Sequence, residues 1–271
     1  MFSHQILNII IIITTIFSLH FNDCFCINLD FENTSLANSF SSAVATWYGD
    51  ETGSGSGGGC GFENDISKAP YNGLIAAGNQ NIYQHGKGCG TCYQFSSICF
   101  QVKCTQHPSC SSKPITITIT DECPGLCNND AFHFDLSGKA FGYLAKRGQD
   151  YTLRKAGRIN IEYRRVPCHY RANLVFKIDI GSNPYYLAFA IEDVNIDGDL
   201  GSVELLPSNS RHWMPMQQSW GETWQIGIPS GVHGPYSVKL TAMESRRSIV
   251  AYNVIPANWA RGLHYYSKIN F

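Results

Sequence analysis

Where the chain has a hydrophobic period, it is mostly a period of two. Pro114 to Thr120 reads Pro-Ile-Thr-Ile-Thr-Ile-Thr, which places three isoleucines on one face of a strand, with Asp121 following at its end. Arg158 to Arg164 alternates again and puts Ile159, Ile161 and Tyr163 on a common face. Beyond residue 170 the alternation recurs in short runs. Leu174, Phe176, Ile178 and Ile180 interleave with Val175, Lys177 and Asp179, and Leu187, Phe189 and Ile191 with Tyr186, Ala188 and Ala190. Trp224, Ile226 and Ile228 follow, then Tyr236, Val238 and Leu240, and Ser248 to Ile255 closes the set. Several short strands at such spacings in about a hundred residues predict a β-sandwich. Helical periodicity is sparse. Its best instance has Ser137 as N-cap of a helix over Gly138 to Arg147, with Phe141, Leu144 and Ala145 on one side. Gly53 to Gly59 is a Gly/Ser loop without the Lys-Ser/Thr or helix signal of a phosphate cradle.

The N-terminus has a different character. Ile6 to Leu19 is nearly all apolar, too short for a comfortable membrane span, and fits a signal-peptide core with cleavage near Cys24 to Cys26. An uncleaved anchor is the competing reading, since no Lys or Arg precedes the run. The expectation is a secreted, extracellular chain with no membrane segment after cleavage. Asn33-Thr34-Ser35 is then a glycosylation sequon. Of 271 residues, 44% are hydrophobic, which excludes wholesale disorder. With 20 basic residues, 21 acidic ones and a net charge of -1, the chain carries no electrostatic footprint for nucleic acid.

Eleven cysteines agree with an oxidising compartment. Beyond Cys24 and Cys26, all of them lie from Cys60 to Cys168, and residues 169–271 have none. A stapled half followed by a cysteine-free half marks two domains. Cys89-Gly-Thr-Cys92 resembles half a zinc or redox motif, but no His pair has matching spacing, so no metal and no cofactor are expected.

An ordered set of motifs carries a resemblance. It runs through Ala45-Thr-Trp-Tyr-Gly49, Gly57-Gly-Gly-Cys-Gly61, Gly86-Lys-Gly-Cys-Gly-Thr-Cys-Tyr93 and Ile119-Thr-Asp-Glu-Cys-Pro124. It continues with His133-Phe-Asp-Leu-Ser137, Tyr163-Arg-Arg-Val-Pro-Cys168, Gly181-Ser-Asn183, Ser219-Trp-Gly221 and Asn253-Val-Ile-Pro256. From about residue 43 to the C-terminus the chain resembles the β-expansins, plant wall-loosening proteins that include grass-pollen group-1 allergens. The resemblance implies a mainly β protein, with a six-stranded double-psi β-barrel like that of family-45 endoglucanases followed by an immunoglobulin-like β-sandwich. The implied division is a signal peptide over 1–26, an extension over 27–42, the barrel over 43–168, a linker and first strand over 169–180, and the polysaccharide-binding sandwich over 181–266. It implies disulfides Cys60–Cys89, Cys92–Cys168 and Cys104–Cys110, and leaves Cys123 and Cys127 as a local pair. Cys99, in an apparent insertion over Phe95 to Phe100, is the odd thiol.

The candidate chemistry follows from the same comparison. Glycoside hydrolysis normally needs two carboxyl groups. Asp135 is similar to the endoglucanase acid and Asp121 to its neighbour across the cleft, so like-charge repulsion is expected to raise one pKa. Asp135 also reads as a helix N-terminal residue stabilised by the dipole, and Asp121 as a turn acid. Thr46, Tyr48 and His133 match the cleft's polar lining and Trp47 its exposed ring. The loop Ser54 to Gly59 lacks the acid many relatives carry; Asp50 is either a loop-tip acid or a substitute base. On the sandwich, Tyr186 and Trp220 match aromatic platforms, Trp224 reads as core, Trp213 and Trp259 as packing residues, and Tyr185 as either. The expected function is loosening without hydrolysis by a monomer that binds arabinoxylan, xyloglucan or the cellulose surface in the cell wall. An endoglucanase and a binding-only lectin are the alternatives.

Overall fold

A computed structural model describes residues 40–96, 107–111 and 113–271. The signal segment, Asn33, Cys99 and Cys104, and with Cys104 its expected bridge to Cys110, lie outside the described residues. Among the described residues no helix is long and apolar enough to cross a membrane.

Six strands close into a barrel. They are β1 (Ser41–Tyr48), β2 (Ile75–Gly78), β3 (Cys92–Ser96), β4 (Ile115–Glu122), β5 (His133–Ser137) and β6 (Arg158–Val166), arranged β1-β5-β2-β4-β3-β6. The pairs β1·β5 and β2·β4 are parallel and the rest antiparallel. The period-two strands at Pro114 and Arg158 are β4 and β6. Phe134 is fully buried, with the rings of Tyr93, Phe95 and Tyr163 at 5.2, 4.8 and 5.0 Å. Closure removes open sheet edges, and alternate residues fill the interior.

The helix after Ser137 covers only Gly138–Tyr143, shorter than the periodicity predicts. Ser137 caps it, its hydroxyl accepting from the Ala140 N–H at 2.9 Å. The chain then leaves the helix to pair with another segment: Ser111 N donates to Leu144 O and Lys146 N to Ser109 O, both at 2.7 Å. A second helix, Asp150–Ala156, carries an Asp150–Arg154 ion pair one turn apart and ends at Gly157, where φ is +67°.

The second half is a two-sheet sandwich. Its strands are β7 (Val175–Ile178), β8 (Tyr186–Glu192), β9 (Leu200–Pro207), β10 (Met214–Pro215), β11 (Gln217–Trp220), β12 (Thr223–Gly227), β13 (Tyr236–Ala242), β14 (Ser248–Ile255) and β15 (His264–Tyr266). One sheet runs β10-β9-β13-β14 and the other β11-β12-β8-β7-β15. Phe176, Ile178, Leu187, Phe189, Ile191 and Trp224 face the shared core with Leu205, Val238 and Leu240. The five expected runs correspond to β7, β8, β12, β13 and β14.

One end of the outer face of the five-stranded sheet is covered by the barrel. Lys177 reaches Glu63 at 2.9 Å and Asp65 at 3.0 Å, and His264 meets the same Asp65 carboxylate at 3.1 Å. Glu192 is buried beside them, and its Oε1 has no hydrogen-bond partner. Asp65, Glu192 and His264 bring ligand atoms within 4.8 Å of one another, but the Lys177 ammonium already occupies the Asp65 oxygen. Elsewhere along the seam Arg165 binds the buried Asp199 at 2.7 Å, and Glu222 N donates to Cys60 O at 3.0 Å. Glycines let the backbones touch: a Cβ on Gly221 would lie 2.6 Å from Cys60 Cα and Gly59 O, and φ at Gly221 is +51°.

Candidate functional site

Strand register assembles the cleft. Thr46 on β1 pairs with Asp135 on β5, Asp135 with Ala77 on β2, and Ala77 with Asp121 on β4. Register partners project to the same side, so Thr46, Asp135, Ala77 and Asp121 form one row across the barrel. Ala77 gives the row a low floor between two carboxylates whose strands are about 10 Å apart. Val44 pairs with His133 and Tyr48 with Ser137, which puts His133 and Tyr48 on the side of Thr46 and Asp135.

Asp135 heads a chain of polar contacts. The Thr46 hydroxyl donates to Asp135 Oδ1 at 2.5 Å and lies 2.8 Å from His133 Nε2. His133 Nδ1 is 2.8 Å from Asp130 Oδ2, and Arg158 grips Asp130 with NH1 and NH2 at 3.0 and 2.7 Å. Asp135 Oδ2 lies 3.9 Å from Cys123 Sγ, so the Cys123–Cys127 disulfide walls the carboxyl on its other side. Burial raises the Asp135 pKa above the ordinary aspartate value, against the opposing hydrogen bond from Thr46 and the charge of His133. The rise therefore comes from desolvation, not from the repulsion by Asp121 that sequence comparison suggests.

Asp121 is tied into the backbone. Its Oδ1 accepts from Gly59 N at 2.7 Å and Glu122 N at 2.9 Å. A Cβ at residue 59 would sit 2.7 Å from this oxygen, so glycine is needed there. Tyr48 lies within range of both carboxylates. Burial first, and then their charges, push its phenol pKa well above the usual value, and Ser56 N donates to its oxygen at 2.7 Å. Asp50 is exposed in a turn whose carbonyl accepts from Gly53 N at 2.9 Å.

Two expected cleft residues are placed differently. Trp47 alternates away from Thr46 and Tyr48, packs against the barrel core with Ala43 and Ala45, and donates its indole N–H to Arg154 O at 3.1 Å. It presents no exposed ring to the cleft, because one step along a strand reverses the face. His133 is only 3% exposed and has polar partners at both ring nitrogens, so it lies behind Asp135, away from the cleft surface.

Tyr186 and Trp220, the expected aromatic platforms, lie on the outer sheet face beyond the barrel seam. Tyr186 is half-buried, its hydroxyl donating to Gln225 Oε1 at 2.6 Å, and with Pro215, Gln217, Gln225 and Gly227 it lines a shallow groove of about 290 Å³. Trp220 is 45% exposed on edge strand β11, and its ring stands 3.3 Å from where a Cβ of Gly61 would be. It therefore stands where the sandwich face meets the barrel. Tyr185 is exposed and Trp224 buried in the core. Disulfides join Cys60 to Cys89, Cys92 to Cys168 and Cys123 to Cys127. The first two hold the barrel where it meets the sandwich. The disulfide wall and the Asp130–Arg158 support were not assigned to the site from sequence, although Asp130 precedes His133 by three residues.

Comparison with known proteins gives a consistent set of relatives. Residues 174–256 match the Expansin C-terminal domain, and residues 75–163 match the family described as lytic transglycolase. Expansin-B4 of Arabidopsis thaliana is 45% identical, with 94% of this chain and 95% of that protein aligned. Expansin-B11 of Oryza sativa subsp. japonica is 42% identical, over 88% of this chain and 80% of that protein. The crystal structure of apo Clavibacter michiganensis expansin superposes with a TM-score of 0.62 at 20% identity, covering 86% of this chain and 98% of that one, which shows the shared fold.

Proposed function

Because the chain belongs to the expansin family, with expansin-B proteins its relatives over most of their length, we propose that it is a secreted wall protein that binds matrix polysaccharide or the cellulose surface and loosens the wall without cutting glycans. In this reading the barrel spans residues 43–168 and the polysaccharide-binding sandwich residues 181–266, joined by 169–180. Asp135, supported through Thr46 by His133, holds a glycan hydroxyl in the barrel cleft. Tyr186 and Trp220 carry sugar rings on the sandwich, whose apolar C–H faces suit flat aromatic surfaces. A glycan bound more tightly when separated from its neighbours is drawn away from them by that difference in affinity, with no chemical step.

The observation that carries the reading is the unequal state of the two row carboxylates. Burial raises the Asp135 pKa above the ordinary aspartate value. Asp121 spends its Oδ1 on two backbone N–H groups, where it fastens the Gly59 turn to the end of β4. An inverting hydrolase needs its second carboxylate free to activate water. Asp50, and the Asp121 Oδ2 that neither backbone N–H engages, keep the endoglucanase reading open, and it is tested by reducing-sugar release from cellohexaose, xyloglucan and arabinoxylan. No release by the wild type is expected. Release abolished by Asp135→Asn and by Asp50→Asn alike would establish hydrolysis instead.

A further inference from the structure

The barrel carries a second cleft, of about 930 Å³, that shares no lining residue with the Tyr186 groove. It is bounded by the helices Gly138–Tyr143 and Asp150–Ala156, by the chain entering β4, and by Thr52 and Ser54 of the Gly/Ser loop. Five cations line it, Lys113, Lys139, Lys146, Arg147 and Arg154, against one acid, Asp150. Arg154 is buried and spent on Asp150 and on Gly138 O. Among the described residues, none of the other four is paired with a carboxylate. Lys146 gives one N–H to Pro108 O at 2.7 Å, which fixes its ammonium and leaves two donors free. So a chain of net charge -1 concentrates four unpaired positive charges at one concave site. That is the pattern expected of a site for an anionic ligand.

The rest of the lining narrows the class. Tyr143 is 54% exposed beside these cations and offers a flat face to a sugar ring, while Thr52, Ser54 and Ser111 offer hydroxyls. We propose that this cleft binds a uronate-bearing polysaccharide, its carboxylates set on Lys139, Lys146 and Arg147 and a ring laid on Tyr143. The choice of uronate among anions rests on the wall-protein reading above. The site itself does not depend on loosening, because it uses neither Asp135 nor Trp220.

The test is affinity electrophoresis of the full chain in gels containing polygalacturonate, glucuronoxylan, dextran sulfate or neutral hydroxyethylcellulose. The two uronate polymers separate a galacturonate source from a glucuronate source, and retardation by either supports the proposal. Lys139→Gln with Arg147→Gln should weaken that retardation roughly tenfold, at about threefold per exposed charge. Retardation by hydroxyethylcellulose and the melting temperature should stay unchanged, while Tyr186→Ala with Trp220→Ala should weaken retardation by hydroxyethylcellulose and leave that by polygalacturonate, and the melting temperature, as in wild type. The proposal is overturned if neither uronate polymer retards the wild type, if dextran sulfate retards it equally, or if the charge variant behaves as wild type. Those outcomes would leave the loosening assay unaffected, so this proposal and the proposed function can fail separately.

Discussion

Glu192→Gln should make the protein markedly less sensitive to pH. Glu192 ends β8 on the outer sheet face, 3% exposed beneath the barrel seam. Burial pushes its pKa up to about 8; the charges of Asp65, Asp193 and Glu63 add to the rise and Lys177 opposes it. An acid whose pKa is raised on folding contributes its full stability below the unfolded value, 4.5, and loses it as pH rises toward the folded value. From pH 4 to pH 7 the unfolded chain releases this proton while the folded chain keeps it. At about 1.4 kcal/mol per pH unit the loss is on the order of 3 kcal/mol. Glutamine does not titrate, so its stability relative to wild type should improve by about that amount between pH 4 and pH 7. Any fixed cost of placing an amide where Oε1 has no partner cancels in this difference. Asp193 and Asp199, whose pKa values burial raises to about 6, are retained in both proteins and contribute to both profiles. Urea denaturation followed by tryptophan fluorescence at pH 4, 5.5 and 7 measures it. Parallel stability profiles for the two proteins would refute the reasoning.

Two further variants separate the sandwich core from its proposed binding face. Trp224→Ala should destabilise the sandwich by ~3–5 kcal/mol, since the ring is 5% exposed among Leu187, Phe189 and Ile226, and a thermal melt reads it directly. Tyr186→Ala with Trp220→Ala should leave the melt near wild type and weaken retention on insoluble wall glycans at least tenfold, about 1.4 kcal/mol. Unchanged retention would remove both residues from the site.

Much of the architecture is legible as alternation. The three isoleucines of β4 and the runs at Phe176, Phe189 and Val238 show their inward faces directly. Two of the strands without a reading fail for local reasons: Gly201 and Ser202 interrupt the pattern of β9, and β11 is a polar edge strand, Gln-Gln-Ser-Trp, whose pairing with β12 is broken by a bulge. The parity rule that places Tyr186 outside also sets Trp47 on the side of Ala43 and Ala45, where it is partly buried against the barrel core. The helix after Ser137 has a clear start, but its end is set by pairing with Ser109 and Ser111, which helix propensity does not reveal. The seam is not legible at all. Lys177 and Asp65 are 112 residues apart, and nothing in either local sequence announces the other. Asp135 was identifiable as a candidate, whereas the cause of its raised pKa required the burial supplied by β1, β5 and the Cys123–Cys127 disulfide.

The central claim is that a single desolvated carboxyl holds glycan without cutting it. Extension of heat-killed wall strips under constant load, with soluble sugar measured in parallel, tests this most directly when wild type is compared with Asp135→Asn from pH 4 to pH 7. Because burial favours the protonated form of Asp135, wild-type extension should be greatest at the acid end and fall as the carboxyl ionises. It should proceed without sugar release. Asp135→Asn, which cannot donate a carboxylic proton, should lose both the extension and its pH dependence while melting as wild type does. Full extension by Asp135→Asn, or sugar release that tracks extension in the wild type, would contradict the account.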